Sequence, residues 1–208
     1  MYFDFHTHSS FSDDSPTPLK AMLDRAVELH IGEIAVTDHY DPGYPDPEFP
    51  FELEFDKYHQ ALEKYQDEYA GRLKIAKGIE IGIQSDQIDA ARKAAQAYDY
   101  DYIIGSFHCA LGEPLYEGHF YDGKTPVQAF RDYFEYIYDN LKVYKDYCCA
   151  GHLNLVARYS DQESPAFKEY ADIVEAILRM IIEDGKGIEL NTSSWRYNMA
   201  ETCPSKEI

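Results

Sequence analysis

Tyr2-Phe3-Asp4-Phe5-His6-Thr7-His8 opens the chain as an aromatic-rich run that closes on two histidines two positions apart. In a strand, residues i and i+2 lie on one face, so both imidazoles are placed to reach a single metal ion. Alone, such a pair is a weak signal; its weight comes from the residue types found further along the chain. Short β-branched or aromatic runs at residues 2–6, 33–38, 73–81, 102–107, 149–153 and 187–191 alternate with helix-period segments at 16–30, 55–70, 84–97, 126–144 and 165–184. That alternation predicts parallel strands joined by crossover helices, an α/β architecture.

Metal-binding residue types fall at the ends of these runs. His6 and His8 end the first, Asp38 and His39 the second, and Glu80 nears the end of the third; His108 follows the fourth, His152 lies in the fifth and Asn191 closes the sixth. In a parallel barrel all strand C-termini open on one face, so these groups are expected to converge on one pocket. His39, His108 and His152 each read individually better as a core or capping histidine, but jointly the set points to a metal site. Glu80 and Asp14 add oxygen ligands able to bridge ions, and mixed imidazole and carboxylate donors accept Zn, Fe or Mn.

Composition bounds the partners. The 208 residues, 45% hydrophobic and 27% charged, suit one soluble domain. Nineteen Lys and Arg against 38 Asp and Glu leave a net charge of −19, which disfavours a nucleic-acid surface but leaves room for a small phosphorylated substrate in a locally cationic pocket. Cys109, Cys148, Cys149 and Cys203 form no CxxC pair and read as reduced thiols. No leader-like N-terminus or membrane-length apolar run is present, so a cytoplasmic protein without membrane contact is expected. No repeat or linker divides the chain, and the Pro-rich segment 42–50 reads as a loop over a single domain.

Among the other candidates, His30 and His59 read as structural or solvated. His119, in the loop after the fourth run, either lies over the site or is an exposed loop histidine. Arg158 follows His152 by six residues and Arg196 follows Asn191 by five; each is either a phosphate clamp or a surface ion pair. Tyr159 and Trp195 beside them are candidates for a stacking wall or for packing.

Taken in order, His6-Thr7-His8, Asp14, Thr37-Asp38-His39, Gly78-Ile79-Glu80, Gly105-Ser106-Phe107-His108 and Gly151-His152-Leu153-Asn154 resemble the polymerase-and-histidinol-phosphatase (PHP) superfamily. Arg158-Tyr159 and Glu189-Leu190-Asn191-Thr192 with Arg196 are most similar to its histidinol-phosphatase branch, which removes phosphate from L-histidinol phosphate in histidine biosynthesis. The resemblance implies a distorted (β/α)7 TIM-like barrel with two or three divalent ions at its mouth. His6, His8 and Glu80 would hold one ion; Glu80 with His108 and His152, the candidate catalytic group, a second; and Asp14 with His39 a third. Arg158 and Arg196 would meet the phosphate, with Tyr159 and His119 beside the substrate.

Family members continue into a last strand ending in Asp-x-His, which this sequence lacks. Residues 1–208 are therefore expected to form one PHP-type domain, C-terminally incomplete, with residues 204–208 as the first turn of a helix. The expected reaction is hydrolysis of a phosphate monoester by water activated on the ions, with no protein nucleophile. Among the proposed ligands five imidazoles face two carboxylates, so a loaded site would be cationic and would favour an anionic substrate. Two other readings stay open: a PHP-type phosphodiesterase or exonuclease, and a non-catalytic metal-binding module.

Overall fold

In the computed structural model, which describes residues 2–116 and 119–208, strands and helices alternate as the sequence pattern requires. The order is β1 (Tyr2–Thr7), α1 (Leu19–Glu28), β2 (Ile31–Val36), β3 (His39–Tyr40), α2 (Phe55–Glu68), β4 (Lys74–Gly82), α3 (Ile88–Ala95) and β5 (Tyr102–Ser106). A hairpin of β6 (Cys109–Ala110) and β7 (Glu113–Pro114) follows, then α4 (Pro126–Val143), β8 (Cys149–Ala150), α5 (Ala171–Glu183) and β9 (Gly187–Ile188). The main sheet is parallel, ordered β1-β2-β4-β5-β8-β9, with β3 pairing β4 beyond the end of β2. It forms an open half-barrel with helices on its outer side.

The central strands are buried by composition. Ile34-Ala35-Val36 and Ile79 through Ile83 lose nearly all solvent contact, as expected of parallel strands covered on both faces. β1 is an edge, and Tyr2 remains 73% exposed. From α2, Tyr58 reaches through the core; its hydroxyl contacts the Val36 and Gly78 carbonyl oxygens at 2.9 Å and accepts from the Asp38 amide at 3.3 Å. One side chain thus ties the end of β2, and Asp38 just beyond it, to the middle of β4. α4 starts at Pro126 because Thr125 and Gln128 form a capping box around it. Among the described residues no helix is long and apolar enough to cross a membrane.

Several boundaries differ from the sequence pattern. α1 begins at Leu19 rather than 16, since Pro18 occupies its N-cap, and α5 begins at Ala171 because residues 167–169 form a separate 3-10 turn. β8 and β9 are two residues each, so His152 and Asn191 lie beyond strand ends rather than within strands. The chain after Pro204 does not start a helix. Cys203 instead exchanges both backbone hydrogen bonds with Asn191, at 2.9 and 3.0 Å, and residues 205–208 close a turn against it. Backbone pairing at Cys203 thus draws the segment back onto Asn191 instead of leaving it free to start a helix.

Candidate metal centre

Glu80 sits near the end of β4 with its carboxylate fully buried, and every strand-end histidine turns toward it. Its Oε2 lies 3.0 Å from His6 Nε2, 3.5 Å from His8 Nε2 and 3.5 Å from His39 Nδ1. Its Oε1 lies 2.9 Å from His152 Nε2 and 3.3 Å from His108 Nε2, and accepts from Ser106 Oγ at 2.5 Å. Sheet register explains the convergence: β3 pairs His39 with Glu80, and β5 places Ile104 opposite Glu80 and Gly105 opposite Ala150, so the three chain ends rise side by side. Gly151 is required by this closeness, because a Cβ there would collide with Ser106 Oγ and push it off Glu80.

A shell of carboxylates orients the rings from behind. Asp41, 1% exposed, contacts His108 Nδ1 at 2.5 Å and lies 3.7 Å from His39 Nδ1. Glu189, beyond β9, contacts His6 Nδ1 at 2.8 Å and accepts from the His152 amide at 2.5 Å, tying the first strand to the last. Asp14 Oδ2 is 3.6 Å from His39 Nε2. Asp38 points away from the rings: it accepts from the Ser9 amide at 2.5 Å and from Ser9 and Ser12 hydroxyls at 2.8 and 3.0 Å. It thereby pins the loop that carries His8 and Asp14.

Burial alone would strip the proton from each imidazole, and the surrounding charges split the set. Against burial, the Glu80 charge and the Glu189 contact carry His6 up to about 10. Asp41 and then Glu80 carry His108 up to about 9, and Glu80 holds His39 well above the usual imidazole value. Burial and the neighbouring His39 take His8 down to about 3, and burial takes His152 down to about 4. Glu80 stays well below the carboxylate range despite its burial, because His6, His39 and His108 surround it.

The donor set fits divalent ions. His6, His8 and Glu80, then His8, Asp14 and His39, then His39, Asp41 and His108, and lastly Glu80, His108 and His152 each bring three ligand atoms within 4.8 Å of one another. His108 Nε2 and His152 Nε2 face each other at 3.4 Å, and Asp41 Oδ1 and the Nδ1 atoms of His8, His39 and His152 are buried without a hydrogen-bond partner among the described residues. Four Nε2 atoms and His39 Nδ1 gathered around one buried carboxylate are the donor chemistry that divalent ions take.

Above this cluster opens a cavity of about 320 Å³, lined by the rings and by Arg158, Tyr159, Asn191 and Ser193. Arg158 Nη2 donates to Ser193 Oγ at 3.1 Å, and its guanidinium packs 4.6 Å from the centre of the Tyr197 ring. Two of the residues singled out from sequence lie elsewhere. Arg196 is exposed in a groove with Phe3, Asp4 and Tyr102 behind His6, because the 3-10 turn Ser193–Tyr197 carries it away from the cavity and Tyr197 toward it. His119 lines an outer groove and sits 3.4 Å from Asp122, separated from the cluster by Tyr44 and Tyr116. Trp195 is exposed and outside the cavity, and His59 is buried under Tyr98. Sequence reasoning passed over Asp41 and quoted Glu189 only within a motif, without a role, although each is a carboxylate two residues from a residue already singled out, His39 and Asn191, and strand alternation would have directed both inward.

The PHP domain family model matches residues 4–193. A histidinol-phosphatase of Lactococcus lactis is 31% identical over 192 residues, covering 91% of this chain and 71% of its own, and a probable histidinol-phosphatase of Clostridium acetobutylicum is 30% identical over 206 residues, covering 98% and 77%. The crystal structure of the Lactococcus lactis histidinol phosphate phosphatase, complexed with zinc, L-histidinol and phosphate, superposes with a TM-score of 0.88 at 30% identity over 94% of this chain and 74% of that one. A putative histidinol phosphatase from Listeria monocytogenes, 20% identical, has the same fold at a TM-score of 0.84, covering 99% of this chain and 88% of its own. A family match across nearly the whole sequence, on a half-barrel whose strand ends gather five histidines around one glutamate, makes this chain a member of the PHP domain family.

Proposed function

We propose that this chain is a metal-dependent phosphomonoesterase that converts L-histidinol phosphate to L-histidinol and phosphate. The observation that carries the reading is Glu80, one buried carboxylate within 3.5 Å of five imidazoles beneath a cavity lined also by Arg158. The 30% identical neighbour that superposes at 0.88 binds zinc, L-histidinol and phosphate, which supports the same substrate here.

In this reading His6, His8, Glu80, His108 and His152, with Asp14 and His39, hold two or three divalent ions, zinc being the ion of the neighbour. Such ions supply positive charge against the phosphoryl oxygens and make water acidic enough to attack at neutral pH. Glu80 would be the ligand common to the His6–His8 and His108–His152 groups. Asp41 and Glu189 fix the tautomers of His108 and His6 by holding their Nδ1 atoms, which presents Nε2 to the centre. Arg158, steadied by Ser193 and Tyr197, offers its remaining donors to the phosphate, and Tyr159 packs against the substrate. Among the described residues no thiol lines the cavity, and burial raises Cys109 far above its usual value, Cys149 to about 11 and Cys203 to about 12. The same reading takes the half-barrel as part of a distorted (β/α)7 barrel, with residues 1–208 as a single domain of it.

Elemental analysis of the purified protein combined with a substrate panel tests the proposal. Bound divalent metal and preferential turnover of L-histidinol phosphate over p-nitrophenyl phosphate, bis-p-nitrophenyl phosphate and single-stranded DNA are expected. Preference for either diester would overturn the substrate, and full metal content without turnover of any panel member would favour the non-catalytic module.

A further inference from the structure

The cavity is chemically two-sided. Its floor is the histidine cluster with Arg158, and its outer wall is aromatic: Tyr44, Phe49 and Phe51 come from the loop between β3 and α2, and Tyr116, Tyr159 and Tyr197 from three other loops. These rings support one another. Tyr44 meets Phe51 edge-on with centroids 5.0 Å apart, Tyr116 meets Tyr159 at 5.6 Å, and Tyr159 meets Tyr197 at 6.4 Å.

Among the described residues, three carboxylates line the cavity. Asp14 and Glu80 belong to the cluster; Asp46 stands in the aromatic wall. Asp46 is half-buried, and its Oδ1 is fixed by the Glu48 amide at 2.8 Å. No Lys, Arg or His nitrogen among the described residues comes within 4.0 Å of it, although ten of the 19 Lys and Arg have a carboxylate partner elsewhere. Arg158, which also lines the cavity, donates to Ser193 and packs on Tyr197 rather than pairing with Asp46. Asp46 also borders the outer groove that contains Glu48, Glu113 and His119, so it stands at the rim where a leaving group would enter and depart.

An anionic group held rigid among aromatic faces, facing a cationic floor, suits a ligand with the opposite polarity: phosphate at one end and a protonated nitrogen beside an apolar body at the other. We propose that Asp46 is the specificity residue of this site, its free carboxylate oxygen taking the protonated amine of an amino-alcohol phosphate while the surrounding rings cover the apolar part of the leaving group. The proposal deepens the phosphatase reading and rests on it for the phosphate end alone. Asp46 touches the leaving group and no ion, so it selects substrates without taking part in bond breaking.

Asp46→Asn keeps the oxygen that accepts from the Glu48 amide, and with it the local turn, while removing the charge. Kinetics on L-histidinol phosphate and p-nitrophenyl phosphate, together with calorimetric titration of L-histidinol and of inorganic phosphate into the metal-loaded protein, separate the possibilities. In the variant, kcat/KM for L-histidinol phosphate should fall about 10- to 100-fold, mostly through KM, and L-histidinol binding should weaken comparably, with p-nitrophenyl phosphate turnover and phosphate affinity within about two-fold of wild type. An equal loss on both substrates, or no loss on either, overturns the role of Asp46. Wild-type protein that binds L-histidinol in an Asp46-dependent way yet does not cleave its phosphate ester would overturn the substrate assignment and uphold the amine subsite. Wild-type protein that binds phosphate but not L-histidinol would overturn both.

Discussion

Replacing Asp41 by Asn tests whether the carboxylates behind the histidines set metal affinity. Asp41 Oδ2 sits 2.5 Å from His108 Nδ1, and the residue is 1% exposed, so the contact is charge-assisted and shielded from solvent. Asn preserves the volume but removes the charge that holds His108 with Nδ1 protonated and Nε2 turned to the centre. Loss of such an outer partner costs about 10- to 100-fold in metal affinity, about 1–3 kcal/mol. A second effect opposes the first. In the absence of metal, burial depresses His108 but Asp41 and then Glu80 raise it to about 9, so at pH 7.5 an ion must displace a proton held by about 1.5 pH units, roughly 2 kcal/mol. The variant holds that proton less tightly. At neutral pH the two effects largely offset, and above pH 9, where the wild-type proton is gone, the full loss of orientation remains. Zinc affinity measured by chelator competition should therefore differ little between the two proteins near pH 7 and diverge by about ten-fold or more near pH 9.5. Equal affinities at the higher pH would refute the orienting role of Asp41.

The same contacts set the expected behaviour of other variants. Glu80→Gln should remove the charge shared by all five histidines, lowering bound metal measured by elemental analysis and turnover by about 100-fold or more; wild-type metal content would end the assignment. Arg158→Ala should raise KM for a phosphate monoester about ten-fold or more, whereas Arg196→Ala, outside the cavity, should leave it near wild type, and steady-state kinetics on both variants distinguish the two arginines. Gly151→Ala should displace Ser106 from Glu80 and lower metal content while far-ultraviolet circular dichroism stays unchanged. His59, 5% exposed and stacked 3.6 Å from Tyr98, has its pKa lowered by burial and then by Lys77. Its folded value lies below the unfolded one, so its contribution to stability is full above about pH 6.5 and is lost as pH falls below that. Thermal denaturation of His59→Phe between pH 7 and 5 should accordingly show a shallower decline than wild type.

What the sequence made legible was the sheet and the groups that project from its ends. A strand end is marked by composition, and a parallel sheet places all such ends on one side, so His6, His8, Glu80, His108 and His152 could be brought together without knowing a single angle. Direction beyond the strand was not legible. Arg158 and Arg196 come at similar distances after their last strand-end residues, yet the 3-10 turn after Leu155 aims one into the cavity while the turn after Ser193 aims the other outward. Two residues of a five-residue turn decide which side chain faces in, and no periodicity records that choice. The same holds for Pro204, whose position invites a helix until the backbone pairing of Cys203 with Asn191 is seen.

Asp41 and Glu189, carboxylates to which the sequence reading gave no role, change the charge balance of the site. Counting Glu80 and Asp14 alone, one divalent ion among neutral histidines neutralises the site and a second makes it cationic. Asp41 and Glu189 are also buried against the rings, and both are held ionised by histidines, so the cluster carries four negative charges. In the absence of metal, His6, His39 and His108 hold protons and almost neutralise it, which is how four carboxylates remain packed together inside a protein of net charge −19. Ions replace those protons. Two divalent ions would bring the cluster to neutrality, and a third would make it positive by two, so attraction for a phosphate depends on the third ion and on Arg158. The pair that would hold that ion, Asp14 and His39, includes the most exposed carboxylate of the set, with Asp14 at 43% against 10% or less for the other three. Partial loss of metal to a weak chelator should therefore raise KM before it lowers kcat; a fall in kcat at constant KM would show that the outermost ion drives the chemistry rather than the capture of the anion.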